Sequence, residues 1–493
     1  MFRNIFRIMC ISLFMAVAIT GCKKEFEGEA DINKTIPETY LVVDSIYRSG
    51  DTRYTTTVQA HWWGSIQSGY IKGYEVSIDN QQTWQFTTKQ ADVFLLTIPF
   101  GSDTANIKIF VRAINQNGVV DPTPAGLTFP VRNTPPTINF DFSAGQKITS
   151  FPAFRLSWIP KDIDGEGDIS NIQIAFNDTN NVVSLPANVT ATSFVGERVN
   201  GTFTGSYQLF NNTQTLPFAQ KATGGVFNDT NTIYLRCVDR SGSSSQWVST
   251  KLYVRRPQNG ILFITDYVSN SNKNITTNFY SNRINNLGAT YSNFDVVRSL
   301  LDELPSDAFT TAKAFEFFNR IVWVSDDPTR TLGTAQLATV NFFNNGGKVF
   351  FVLEIPNDVA LDASFFSFTP IEKLIDNPGR SFRMATGDQL FPYNATWPVL
   401  KATGIVTFPR PFQTYTTATG LFSFDSLARA DLISFGPGGA PKWTGPSNVM
   451  AKRYSTQKGK NDMVVLTVPL HLLNGNNNVD SFFRQVTLGE LEF

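Results

Sequence analysis

The sequence predicts a multidomain chain, with two all-β sandwiches followed by an α/β domain whose sheet is mainly parallel. Three observations carry this. Short stretches of alternating polarity, bounded by turn residues, run to about Arg256. The Pro135-Pro136 break divides them into two similar series. After Pro257 the alternation gives way to continuous apolar runs separated by helical stretches. The 493 residues are enough for several cores. Lys+Arg and Asp+Glu both number 41, so no basic footprint marks nucleic acid as a partner. There are 43 phenylalanines but only 2 histidines, which narrows the available chemistry.

Residues 1–21 read as a signal peptide. Arg3 and Arg7 precede an apolar run, Ile8 to Ile19, too short to cross about 30 Å of hydrocarbon. Ile19-Thr20-Gly21-Cys22 resembles the lipobox of bacterial lipoprotein precursors. That resemblance implies cleavage before Cys22 and lipidation of Cys22 with palmitate-type chains. A durable anchor needs two or more of them. Residues 22–37 form the tether, and Lys23-Lys24-Glu25-Phe26-Glu27-Gly28-Glu29 resembles the export signal of Bacteroidota surface lipoproteins. The alternative is a solvated tether without an address. With Cys10 removed and Cys22 acylated, Cys237 is left alone in an apolar strand as a small core residue.

Residues 38–132 form the first sandwich. Val58 to Trp62, Tyr74 to Ile78 and Ile107 to Ala113 alternate, with turns at Asp79-Asn80 and Asn115 to Gly118. IKGYEVSIDNQQTW followed by NIKIFVRAINQNG resembles a fibronectin type III domain, an immunoglobulin-like fold. Residues 133–256 repeat the pattern. Phe154 to Trp158 matches the first tryptophan strand, and Ile233 to Gly242 matches Phe110 to Asn115 and its turn. A polar stretch around Asn200 to Thr230 reads as an insertion.

Residues 257–493 form the α/β domain. Ile261 to Ile264, Phe294 to Val297, Arg320 to Val324, Lys348 to Leu353 and Met463 to Val468 read as strands. Helices are expected over Asn274–Leu287, Thr334–Asn345 and Val479–Leu491, the first two stopped by Gly288 and by Gly346-Gly347. This order resembles the class I glutamine amidotransferase-like, flavodoxin-like fold. Asp362 to Pro446 reads as insertions and loops.

That family's chemistry needs a cysteine nucleophile with a histidine partner. This domain has no cysteine, and His471 is its single histidine. No G-x-S-x-G elbow, HExxH motif or phosphate loop occurs either. No catalytic residue is therefore assigned. A glycosidase needs only two carboxylates. Asp266, Asp326, Asp327 and Glu354 follow strands, at the sheet edge where open α/β folds bind ligands. The plainer reading is that they are turn and helix-cap residues. Asp162, Asp164, Glu166 and Asp168 alternate through glycines and resemble calcium loops of extracellular sandwich repeats, offering oxygens for structural Ca²⁺. The other reading is a solvated acidic turn. Trp62 and Trp63 point to opposite faces of one strand, and Trp443 sits in a Gly/Pro-rich loop where exposure would suit a glycan. Asp44-Ser45-Ile46, Asp103-Thr104-Ala105 and Asp425-Ser426-Leu427 resemble the Bacteroidota O-glycosylation motif.

Together these readings predict an outer-membrane, lipid-anchored, cell-surface protein. It would act as a binding or accessory subunit for an outer-membrane protein partner in transport or assembly, with a glycan as a candidate ligand. The alternative is a glycan-active enzyme working through the sheet-edge carboxylates.

Overall fold

The computed structural model describes residues 35–493 apart from 46–47, 50–52, 55–56, 97, 100–101, 144, 165, 212–216, 269, 358, 360, 362 and 419. The signal peptide, Cys22 and most of the tether lie outside the described residues, as do parts of the Asp44-Ser45-Ile46 motif. No described helix is long and apolar enough to cross a membrane. The chain divides into two compact units. One runs up to Thr137 and includes Lys161–Ser170 and Val238–Ser245. The other holds Ile138–Pro160, Asn171–Cys237 and Gln246–Phe493.

In the first unit, alternation does the folding. A three-stranded antiparallel sheet (Glu38–Ser45, Thr57–Ser65, Ala91–Leu95) faces a six-stranded sheet centred on Ile71–Ser77, Thr104–Asn115 and Ala125–Arg132. One face of each supplies the core: Trp62, Tyr74, Ile109, Val111, Phe129 and Val131. Trp62 is 1% exposed and its neighbour Trp63 is 44% exposed, the opposite orientation that a two-residue period requires. The Trp62 indole N–H donates to Lys89 O at 2.9 Å, so the buried ring leaves no polar atom unpaired.

The second series repeats this device, with Trp158 buried and its indole donating to Val189 O at 2.8 Å. Two five-stranded sheets form this sandwich. Phe154, Phe176, Phe194 and Tyr207 interlock in its core with ring centroids 5.1–6.3 Å apart. Cys237 is buried there. The start of the expected polar insertion belongs to a β-hairpin. Ala191–Val199 and Thr202–Phe210 pair antiparallel around Asn200-Gly201, whose φ values are 51° and 79°. Two positive φ angles define the turn type that matches strand twist, and Asn-Gly tolerates them.

That hairpin packs against the C-terminal region. Ser193 Oγ lies 2.6 Å from Thr310 Oγ1, and Arg198 donates to Phe317 O at 3.1 Å. The Arg198 guanidinium sits 4.6 Å from the ring centroids of both Phe203 and Phe317. Phe151 meets Phe318 edge-on at 5.1 Å.

The C-terminal sheet has nine strands and is mixed, which corrects the expectation of a mainly parallel sheet. Asp295–Val297, Ile261–Asp266, Arg320–Ser325, Lys348–Leu353 and Lys460–Leu466 lie side by side and parallel. Asn448–Ser455, Phe422–Ala430, Gln389–Pro392 and Leu400–Lys401 extend it antiparallel. Successive residues of one strand feed opposite faces: Ile261 and Phe263 join one core cluster, Leu262 and Ile264 the other. The helix Asn270–Asn285 starts four residues before the expected boundary. The next expected helix is two, Pro328–Ala338 and Val340–Asn344. The first begins early because Asp327 accepts from Arg330 N and Pro328 stands at the first helical position. The final helix runs over Val479–Arg484 and then loosens into a π turn over Gln485–Glu490.

Candidate functional site

The parallel strands end in acids, and the structure brings them to one edge. Asp266 closes the strand Ile261–Asp266, Asp326 follows Ser325, and Glu354 follows Leu353. Each is held by the protein. Asp266 is buried and bonds Arg330 Nε at 2.8 Å. Asp327 caps the helix Pro328–Ala338 and lies 3.4 Å from Arg330 Nη1. Asp326 Oδ1 accepts from Val268 N at 2.9 Å. Glu354 Oε1 accepts from the Tyr267 hydroxyl at 2.6 Å.

Burial sets the electrostatics. Loss of solvation pushes the Glu354 carboxyl up to about 7 despite the Tyr267 hydrogen bond, with the charge of Asp326 adding to the rise. Burial also raises Asp326. His471 is driven down to about 4 by burial, so it is neutral near pH 7. Its ring lies edge-on to Tyr267 and Phe279, 6.2 and 6.1 Å away. Sequence reasoning found the four acids but missed Tyr267 and Arg330, because neither belongs to a spaced motif. The arrangement offers a carboxyl raised toward neutrality by burial and, on the same edge, an ion pair whose Asp266 side is buried.

A second cluster forms in the first unit. Carboxylate oxygens of Asp162, Asp168 and Asp239 lie within 4.8 Å of one another. The set differs from the expected one. Asp164 turns its carboxylate to Thr134 N at 2.7 Å, the Glu166 side chain lies outside the described residues, and Asp239 enters from the end of the strand Asp229–Asp239, far along the chain. Asp239 is 2% exposed, and its Oδ2 accepts from Asn133 Nδ2 at 2.6 Å. Asp162 Oδ2 is buried without a hydrogen-bond partner. Burial, then the charges of Asp164, Asp168 and Asp239, push Asp162 up to about 6. Three crowded oxygens of this kind are the donor set a hard cation such as Ca²⁺ takes.

The expected platform at Trp443 is corrected. Its ring is half-buried, meets Phe382 edge-on at 5.0 Å and donates to Pro446 O at 2.9 Å. Trp63 is the exposed indole, stacked on Tyr40 at 5.3 Å.

No family model matches the chain, and no curated protein does. The solved structures that align include fibronectin type III-like ones. The fibronectin(III)-like modules of Clostridium thermocellum CbhA are 12% identical, covering 44% of this chain and 95% of that one at a TM-score of 0.18. A two-domain fibronectin type III segment of chicken tenascin is 12% identical, covering 44% and 98% at 0.21. The chicken CNTN1 FN1–FN3 domains are 8% identical, covering 84% and 98% at 0.23. These scores describe a likeness and nothing further. The two sandwiches stand on their own strand orders.

Proposed function

We propose that the mature chain is a lipid-anchored outer-membrane protein, exposed at the cell surface, that serves as a binding or accessory subunit of a transport or assembly complex there. The C-terminal region is read as a flavodoxin-like domain of the amidotransferase-like class without that family's nucleophile. The chain order 2-1-3-4-5 of its parallel strands supports the flavodoxin-like part. One observation carries the binding reading over hydrolysis: each sheet-edge acid already commits an oxygen to a helix cap, an ion pair or a hydrogen bond. Hydrolysis wants two carboxylates facing a sugar across a gap. Solubilisation in mild detergent followed by affinity capture tests the proposal. A stable membrane-protein partner is expected, and capture of the chain alone with Cys22 unmodified by mass spectrometry would overturn it.

A second reading has its own observation. Glu354, pushed up to about 7, would hold a proton near neutrality, as a glycosidase general acid must. A polysaccharide screen separates the two readings. Hydrolysis that vanishes in Glu354→Gln, with an unchanged circular dichroism spectrum, would establish the enzyme.

A further inference from the structure

A second site lies away from the sheet-edge acids. A cavity of about 590 Å³ is lined by Asn357, Asp376, Asn377, Arg380, Arg383 and Arg410, among others. Arg380 is largely committed to the protein. It donates to Ser434 Oγ and to the carbonyls of Ser434, Pro437 and Gly439, clipping the loop that walls the cavity. Ser434 Oγ in turn donates to Asn377 Oδ1 at 3.1 Å, which fixes that amide and leaves its Nδ2 without a partner. Arg383 lies with its guanidinium 3.4 Å from the Phe435 ring centroid, and its Nε is buried and unpartnered. Arg410 is 4% exposed. It donates to Asn357 Oδ1 at 2.6 Å and to the largely exposed Asp376 at 3.3 Å, and its Nε also lacks a partner.

The imbalance has one sign. Asn377, Arg383 and Arg410 each carry a buried donor without an acceptor, and no buried side-chain oxygen of the described lining lacks a donor. Buried polar groups are ordinarily paired, so a lining with three donors left over and no acceptor left over is short of negative charge. Three guanidiniums against the single carboxylate of Asp376 make the lining cationic. A volume of 590 Å³ exceeds an inorganic ion and falls within the range of small-molecule sites. We infer that this cavity binds an anionic organic ligand of about monosaccharide size, held through a carboxylate, sulfate or phosphate group by Arg383, Arg410 and Asn377. The inference is independent of the anchor and of any membrane partner.

Calorimetric titration of the full mature chain at low salt tests it, with glucuronate, glucose 6-sulfate and glucose 6-phosphate as probes and glucose as the neutral control. Saturable binding of at least one acidic probe is expected, and which one binds identifies the anion. Arg383→Gln should weaken it about tenfold or more, the scale of one charge-assisted hydrogen bond. Asn377→Leu, which removes a donor without touching charge, should also weaken it. Thermal melting of both variants checks that the fold survives. Equal binding of glucose and the acids, no binding of any acid, or unchanged affinity in both folded variants would each overturn the inference.

Discussion

The two sandwiches end their long strands in the same turn and differ there by one functional group. In the first, Asn115 N bonds Val119 O, Gly118 N bonds Asn115 O, and Asn115 Oδ1 accepts from the backbone of Asn117 and Val119. In the second, Asp239 N bonds Ser243 O, Gly242 N bonds Asp239 O, and Asp239 Oδ1 accepts from Ser241 Oγ and Ser243 N. Gly118 and Gly242 take φ of 81° and 93°, which a side chain would strain. The remaining atom of each side chain clasps the segment that precedes its domain. Asn115 Nδ2 donates to Thr35 O at 2.8 Å, whereas Asp239 Oδ2 accepts from Asn133 Nδ2. An amide closes the first turn with no net charge. A carboxylate closes the second and places a charge among Asp162 and Asp168. The same scaffold thus yields an uncharged clasp in one copy and a crowded acidic cluster in the other.

The largest effect should come from breaking the neutral clasp. Asn115→Ala strands two backbone donors and the Thr35 carbonyl, and should cost about 2–4 kcal/mol in denaturant unfolding. Asp239→Ala removes as many bonds yet relieves repulsion with Asp162 and Asp168, so it should cost less. Equal losses would dissolve the contrast. Asp239→Asn, which rewrites the second turn as the first, should raise the melting temperature in chelator and abolish any rise that millimolar Ca²⁺ gives the parent. A parent indifferent to Ca²⁺ would leave the cluster a repulsive turn.

Acid should sharpen the contrast further. Asp162 has its folded pKa raised to about 6 above an ordinary carboxylate value of 3.8. The folded state therefore holds extra proton between those values, and stability falls as pH rises from about 4 to 6. Without divalent cation, the melting temperature of the parent relative to Asp239→Asn should be a few degrees higher at pH 5 than at pH 7, a difference from which the titrations of Glu354 and His471 cancel. Smallest of all, Asp164→Ala removes the bond from Thr134 N and should cost about 0.5–1.5 kcal/mol.

Much of this was readable beforehand where a local rule spoke. The period of two put Trp62 inside and Trp63 outside, and Gly288 and Gly346 stopped their helices where expected. Acids after parallel strands were placed correctly because strand direction fixes which end they share. The failures were non-local or short. Asp239 joins Asp162 across more than seventy residues, so no spacing announced it. The strands between Asp362 and Pro446 are mostly two to four residues long, too brief for periodicity to register. Asn200-Gly201 did carry a hairpin signal, but its Asn- and Thr-rich surroundings read as loop. The orphan donors of the arginine-lined cavity depend on which bonds are already taken, which sequence does not encode in any motif.

The Asn200-Gly201 hairpin has a consequence for the order of events during synthesis. Its partners, Thr310 and Phe317, lie more than a hundred residues downstream. The second sandwich therefore cannot fully cover Phe203 or Phe151 until the chain has been made to about residue 318. A protein cut after Arg256 would leave those rings without their Phe317 and Phe318 partners and should aggregate, while the first sandwich, closed by contacts within its own unit, should not.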